Sequence, residues 1–303
     1  MNRWMWTRCS AAVAAAALLT AVALNLAPAA AGRSEPAAVR IGLVKTLFRD
    51  VPELLIPIGL RPMKALMESQ TGVGGDLFPA GDYENLARKL KDDEVQLGVF
   101  HGVEFAWVHQ NYPTLKPLVI AVNGPAYLRA HLVVRADSKI ATGVNLKGKI
   151  IELPRMSSEH CRLFLERRCC PSGDCPEKFF AKVIGSSNAV DALDDVVDDD
   201  AQGVVVDEVV YEAYRKNKPG RAAKLKTVQQ SEPFPCAVIA YQPGVLSDRI
   251  LDAFRDGLIA ARENPKAQTL LRANRVTGFE AIPADYEKSL REIAKAYPPP
   301  TVK

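Results

Sequence analysis

From Val39 onward the chain alternates short apolar runs with amphipathic stretches. Val39–Val44 reads as a first strand. Pro52–Gln70 predicts a helix with Leu55, Leu60, Met63, Leu66 and Met67 on its buried side, and Leu77-Phe78 a short second strand. Asp82–Lys91 predicts a helix capped by Asp82, and strands follow at Val95–Phe100 and Leu115–Val122 with a helix at Val103–Gln110 between them. After a strand at Leu132–Arg135 the alternation restarts. Strands are predicted at Lys149–Leu153, Phe180–Ile184 and Gly203–Val206, with helices at Ser157–Arg168, Asn188–Val197 and Glu208–Lys216. An apolar run at Ala237–Tyr241 leads into helices at Leu246–Arg262, Pro265–Ala273 and Tyr286–Ala296. Strands alternating with helices predict an α/β protein whose sheets are covered on both faces.

The first residues follow another pattern. Arg3 and Arg8 precede an uncharged apolar stretch, Ala11–Leu26, and Pro28-Ala29-Ala30-Ala31 then supplies small residues. This is the order of a cleavable secretory signal peptide, 1–31, with the cut after Ala31. The alternative, an uncleaved anchor, needs roughly 20 apolar residues, and this stretch is shorter. Removing Arg3 and Arg8 lowers the net charge from +4 to +2. That is too little for a nucleic-acid-binding face, so no nucleic-acid partner is expected. The acidic group Asp191, Asp194, Asp195, Asp198, Asp199 and Asp200 suggests metal binding. Val190, Leu193, Val196 and Val197 fall at helical spacing on another face, however, so the acids read as the wet side of a helix.

Five cysteines remain after the leader: Cys161, Cys169, Cys170, Cys175 and Cys236. In an exported chain such a cluster predicts one or two local disulfides, and no spacing matches a regular zinc motif.

The order of several segments resembles the periplasmic solute-binding proteins of phosphate, phosphite and phosphonate ABC transporters, the PhnD-like group. These segments are Arg40-Ile41-Gly42, Asp82–Leu86 followed by Val95–Phe100, His131–Ser138 followed by Leu146–Lys149, Gly185–Ala192 and Gly203–Asp207. The resemblance runs from Val39 to about Ala261. It implies a type II periplasmic-binding-protein fold of two α/β lobes joined by two crossover strands, near Leu132–Arg135 and Ala237–Tyr241. Lobe one is expected to hold 32–131 and 237–303, and lobe two 132–236. A small oxyanion of the phosphonate, phosphite or phosphate class would sit in the cleft. A monomeric, non-enzymatic periplasmic receptor without cofactor or metal, delivering to an inner-membrane ABC permease, is the implied function.

The resemblance also implies site residues. Ser157 and Ser158 match a hydroxyl-rich helix start, where free N–H groups and the positive helix end favour an anion. Met156 and Glu159 depart from that run. Ser187 stands where the family carries histidine. Asp207 matches an aspartate that receives a ligand amine or protonated oxygen, or caps the following helix. Thr46 follows the first strand as a hydrogen-bond donor, with Lys45 or Arg49 as a source of charge. His101 opens a helix at the cleft mouth, where exchange near neutral pH would make its role pH-sensitive. Tyr127 precedes the crossover, as does Arg129, a second candidate for anion contact.

Other readings stay open on sequence alone. The same fold serves as a ligand-binding module feeding a membrane sensor kinase. A metal or redox protein built on His160 and the cysteines, and an exported enzyme on a binding-protein scaffold, are the remaining alternatives. No Ser-His-Asp, Walker, His-Glu-x-x-His or Gly-x-Gly-x-x-Gly motif favours the last of these.

Overall fold

The apolar runs become two separate sheets in the computed structural model, which describes residues 38–171 and 175–300. The expected signal peptide, 1–31, lies outside the described residues. The first half of the chain runs β1 (Val39–Leu43), α1 (Ile56–Thr71), β2 (Gly75–Pro79), α2 (Tyr83–Lys91), β3 (Leu97–Phe100), α3 (Gly102–Asn111), β4 (Lys116–Val122), β5 (Tyr127–Leu128) and β6 (Ala130–Arg135). Next come β7 (Ile150–Glu152), α4 (Glu159–Phe164), α5 (Pro176–Phe179), β8 (Lys182–Ile184), α6 (Ala189–Val197), β9 (Gly203–Asp207), α7 (Glu208–Asn217) and α8 (Pro219–Ala222). The chain finishes with β10 (Leu225–Gln230), β11 (Phe234–Pro235), β12 (Ala237–Tyr241), α9 (Asp248–Ala260), α10 (Pro265–Ala273), β13 (Gly278–Glu280) and α11 (Tyr286–Ala296).

One sheet has the order β13-β4-β12-β3-β1-β2 and the other β10-β6-β9-β7-β8. In the first, β1 lies parallel to β2 and β3, and β12 is antiparallel to β3 and β4. In the second, β7 lies parallel to β8 and β9, and β6 is antiparallel to β9 and β10. Where the chain passes between sheets its two strands run side by side, because β5 pairs antiparallel with β11, Leu128 opposite Phe234. This is the type II periplasmic-binding-protein arrangement, two α/β lobes joined by crossovers; the crossovers run through β5 and β11, and the expected segments Leu132–Arg135 and Ala237–Tyr241 lie within the sheets instead. No helix among the described residues is long and apolar enough to cross a membrane.

Each sheet is buried on both faces, as its helix cover requires. Phe100, Phe105, Leu86 and Phe234 pack on one side of the first sheet, and Val39, Leu66, Leu97 and Phe254 on the other. In the second sheet, successive residues of β6 divide between two clusters. Leu132 and Val134 join Phe164 and Phe180, while Val133 joins Leu193 and Tyr214.

Local signals place the helix starts. Asp82 accepts from the Asn85 N–H at 2.9 Å, and Asn188 caps α6 through Val190 and Asp191. The acidic face of α6 carries one inward-turned member. Asp194 takes Lys218, Arg221 and the Tyr214 hydroxyl, so it ties α6 to α7 and α8. No group of three metal-ligating side chains forms among the described residues.

The expected local disulfides are not formed: Cys161, Cys169, Cys175 and Cys236 carry free thiols. Cys161 and Cys169 pack instead with Phe164 and Phe180 in the core of the second sheet. Cys169, whose thiol burial pushes well up, behaves there as a small hydrophobe, while the Cys161 sulfur also meets His160.

Candidate functional site

The carboxyl ends of four parallel strands converge on one cavity of about 400 Å³. Thr46 follows β1, His101 follows β3, Ser157 and Ser158 follow β7, and Asp207 ends β9. Crevices beyond the carboxyl ends of parallel strands are where open α/β sheets place ligands, because the next helices start there. Three helix starts, His101 of α3, Ser158 of α4 and Asp207 of α7, thus face a common space. Of the six candidate residues, five line this cavity. Ser187 does not: its hydroxyl donates to Asp191 at 2.6 Å beside the exposed start of α6. Tyr127 and Arg129 also lie outside it, Tyr127 donating to Asp285 and Arg129 to the Ser231 carbonyl.

The polar groups are already partly committed. Thr46 donates its hydroxyl to Glu104 at 2.8 Å, so toward the cavity it offers only a lone pair. Ser157 donates to the Pro154 carbonyl at 2.6 Å. Ser158 begins α4 and makes no side-chain cap bond, which leaves its hydroxyl available. Asp207 caps α7 through the Val209 N–H at 2.8 Å and also meets His160 Nε2 at 3.0 Å.

His160 is the central residue that sequence reasoning considered only as a partner of the thiols. It is 3% exposed and stacks near Phe234. Burial lowers its affinity for a proton, but the Cys161 sulfur and the Asp207 carboxylate outweigh that and raise it to about 10. Asp207 shifts down: the His160 bond overcomes burial, which acts upward. The two directions agree on a charged pair. Cys161 Sγ, at 3.5 Å, and Asp207 Oδ2 both meet the same ring nitrogen. A nucleophile relay needs them on opposite nitrogens, so this is not a catalytic triad.

His101 behaves oppositely. Burial pushes it down to about 4 against a bond to the Thr46 backbone, so it is neutral at physiological pH and does not titrate near neutrality as expected. Glu104, two residues into α3, is 3% exposed and its Oε2 has no partner. Burial pushes it up to about 7, against the Thr46 bond. A carboxyl raised in the folded state loses stability between its ordinary and raised values, because only the unfolded chain ionises there. Wild type is therefore expected to lose about 3 kcal/mol at this group between pH 4.5 and 7. In Glu104→Gln, urea unfolding at pH 5 and 8 should show a fall smaller by that amount.

Charged links span the cavity between segments flanking the two sheets. Arg49 pairs with Glu159 at 2.7 Å and Asp50 with Arg162 at 2.6 Å. Glu159 is thus neutralised by Arg49 rather than left to repel an anion. Met156 has φ +60°, a left-handed conformation uncommon for a residue with a side chain. Asp50 accepts from its N–H at 3.0 Å, and Arg275 donates to its carbonyl, holding the peptide from both ends. Arg49, Arg162, Arg275 and protonated His160 face the carboxylates Asp50, Glu159 and Asp207, an excess of one positive charge in the lining.

Residues 59–286 match the family described as the periplasmic substrate-binding protein of phosphonate ABC transporters. No curated protein matches the chain. Among solved structures, a protein from Xanthomonas citri, solved bound to chloride, is similar at 18% identity over 86% of this chain and 98% of that one, with a TM-score of 0.57. PhnD1 from Prochlorococcus marinus, in complex with methylphosphonate, is similar at 14% identity over 86% and 98%, with a TM-score of 0.54. A binding-protein component of an ABC phosphonate transporter from Pseudomonas aeruginosa is similar at 20% identity over 86% and 85%, with a TM-score of 0.52.

Proposed function

This chain belongs to the family of periplasmic substrate-binding proteins of phosphonate ABC transporters, and on that premise we propose that it captures a phosphorus oxyanion in the cavity between its sheets. The two sheets with their helices act as lobes, 32–131 with 237–303 and 132–236, closing about the β5–β11 ladder. Residues 1–31 direct export and are removed, and the mature monomer presents its ligand to the permease.

One observation carries the ligand class. The starts of α3 and α4, neither with a side-chain cap bond, open onto one cavity whose charged lining has one positive charge in excess. Uncapped N–H groups, aligned helix dipoles and that excess charge together favour an oxyanion. Ser158 is the hydroxyl best placed to donate to it, since Ser157 is bonded to Pro154.

The test is calorimetric titration of residues 32–303 with phosphate, phosphite, methylphosphonate, 2-aminoethylphosphonate, sulfate and carboxylates. Saturable binding of a phosphorus oxyanion is expected. Ser158→Ala should weaken it about tenfold, the size of one hydrogen bond to a charged group, and Ser157→Ala by less. Absence of binding to every phosphorus compound overturns the proposal.

A further inference from the structure

We propose that Glu104 is a proton-holding group behind Thr46: it takes up one proton from solution as the oxyanion binds, and Thr46 then turns its own hydroxyl proton to the ligand. The inference rests on the function proposed above and adds a positioning residue to the same cavity.

The hydroxyl and the carboxyl share one bond. Thr46 Oγ1 lies 2.8 Å from Glu104 Oε1, and Thr46 is part of the cavity wall. A hydroxyl has a single proton, and an ionised carboxylate only accepts. While Glu104 is ionised, the Thr46 proton is committed to it. An oxyanion also only accepts, so Thr46 has no donor to offer. A proton on Oε1 reverses the bond and frees the hydroxyl.

The burial of Glu104 says where that proton goes. The residue is 3% exposed, and its Oε2 has no hydrogen-bond partner. A proton on Oε2 would meet no acceptor, whereas on Oε1 it meets Thr46. A buried carboxylate oxygen without a partner already favours the neutral form. An anion one hydroxyl away adds a like charge, which favours it further. The second effect exists only with ligand bound, and it ties binding to proton uptake.

The surroundings leave room for this change. Burial raises the proton affinity of Glu104, the Thr46 bond lowers it, Glu159 at the start of α4 raises it, and the His101 backbone and Arg49 lower it, leaving it at about 7. Tyr83 on α2 also faces its charge, and its phenol is raised, so it stays neutral. The His101 ring, held down to about 4, is neutral as well.

Calorimetric titration of the mature chain with methylphosphonate and with phosphate, in buffers of different ionisation heat, counts the protons taken up. Glu104→Gln, whose amide donates to Thr46 at every pH, supplies the ligand's own titration as a baseline. At pH 8 wild type should take up close to one proton more than this variant, and at pH 6 almost none. Its affinity relative to the variant should fall about tenfold from pH 6 to pH 8, as the protonated fraction falls. Thr46→Ser keeps the hydroxyl and should keep this pH dependence, whereas Thr46→Val should weaken binding and lose it. Equal proton counts in wild type, Glu104→Gln and Thr46→Val, with either ligand bound, overturn this inference and leave the function standing. Binding of no phosphorus oxyanion overturns both.

Discussion

Asp207→Ala is expected to destabilise the protein by about 3–5 kcal/mol, the effect of removing one partner of a buried ion pair. His160 is 3% exposed and the Asp207 side chain 11%, so little water would replace the lost carboxylate. The α7 cap on Val209 goes with it, worth roughly 1 kcal/mol. For a chain of this size that corresponds to a midpoint lower by roughly 10 °C or more. Asp207→Asn keeps a capping oxygen and loses only the charge, so it should fall between alanine and wild type. The pH dependence gives an independent readout. His160 is raised in the folded state to about 10 from an ordinary 6.5. Its contribution is therefore fully present below about 6.5 and is lost as pH rises toward 10. Wild type should lose stability between pH 6.5 and 9, and Asp207→Ala should lose less over that interval, by the share of the shift that the carboxylate contributes beside the Cys161 sulfur. A midpoint shift of only 2 or 3 °C would mean that the pair is open to solvent.

What was legible in the sequence is what local chemistry decides. The cap at Asp82 was readable because a side-chain oxygen bonds an N–H three residues on, and the helix start at Asn188 is fixed in the structure by the same chemistry. The buried strands were readable as apolar runs such as Gly203–Val206. β10 was not, since Leu225–Gln230 mixes polar and apolar residues at the edge of its sheet, where only one side needs a partner. β13 and the β5–β11 ladder are too short to carry a period. The cavity shows the same division. Ser158 and Asp207 stand at helix starts, which the chain announces. The Asp50–Arg162 pair joins residues far apart in sequence, and His160 gains its charge from Asp207 by folding. A histidine just inside a helix that follows a strand end was the available signal for His160. Ser187 was assigned by resemblance, but its neighbour Asp191 holds it on α6. The disulfide expectation followed compartment and count, whereas Cys161 and Cys169 are buried among aromatic side chains and Cys175 is left exposed.

The second large effect is expected at Gly102, where the cavity meets the passage between sheets. A Cβ there would lie 2.1 Å from the Pro235 carbonyl oxygen and 2.6 Å from that of Cys236. Both obstacles are backbone, so no side chain can swing aside. Either α3 or β11 must move by about an ångström to reach ordinary contact. α3 resists, because Gly102 through Val108 are all buried. β11 resists as well: Phe234 pairs with Leu128, is 1% exposed and packs on Tyr297 with ring centres 4.6 Å apart. Gly102→Ala should therefore destabilise by about 3 kcal/mol or more, the upper end of overpacking. Gly59→Ala is the matched control: nothing lies within 4 Å of its Cβ position in α1, and removing glycine from a helix should stabilise by about 0.5–1 kcal/mol. Urea unfolding of the two variants thus separates a close backbone approach from a general effect of adding a methyl group. A Gly102→Ala midpoint close to wild type would show that α3 and β11 stand further apart in solution. Because β11 is one of the two strands between the lobes, the same substitution should also weaken oxyanion binding, through the altered distance between helix starts that must meet one ligand.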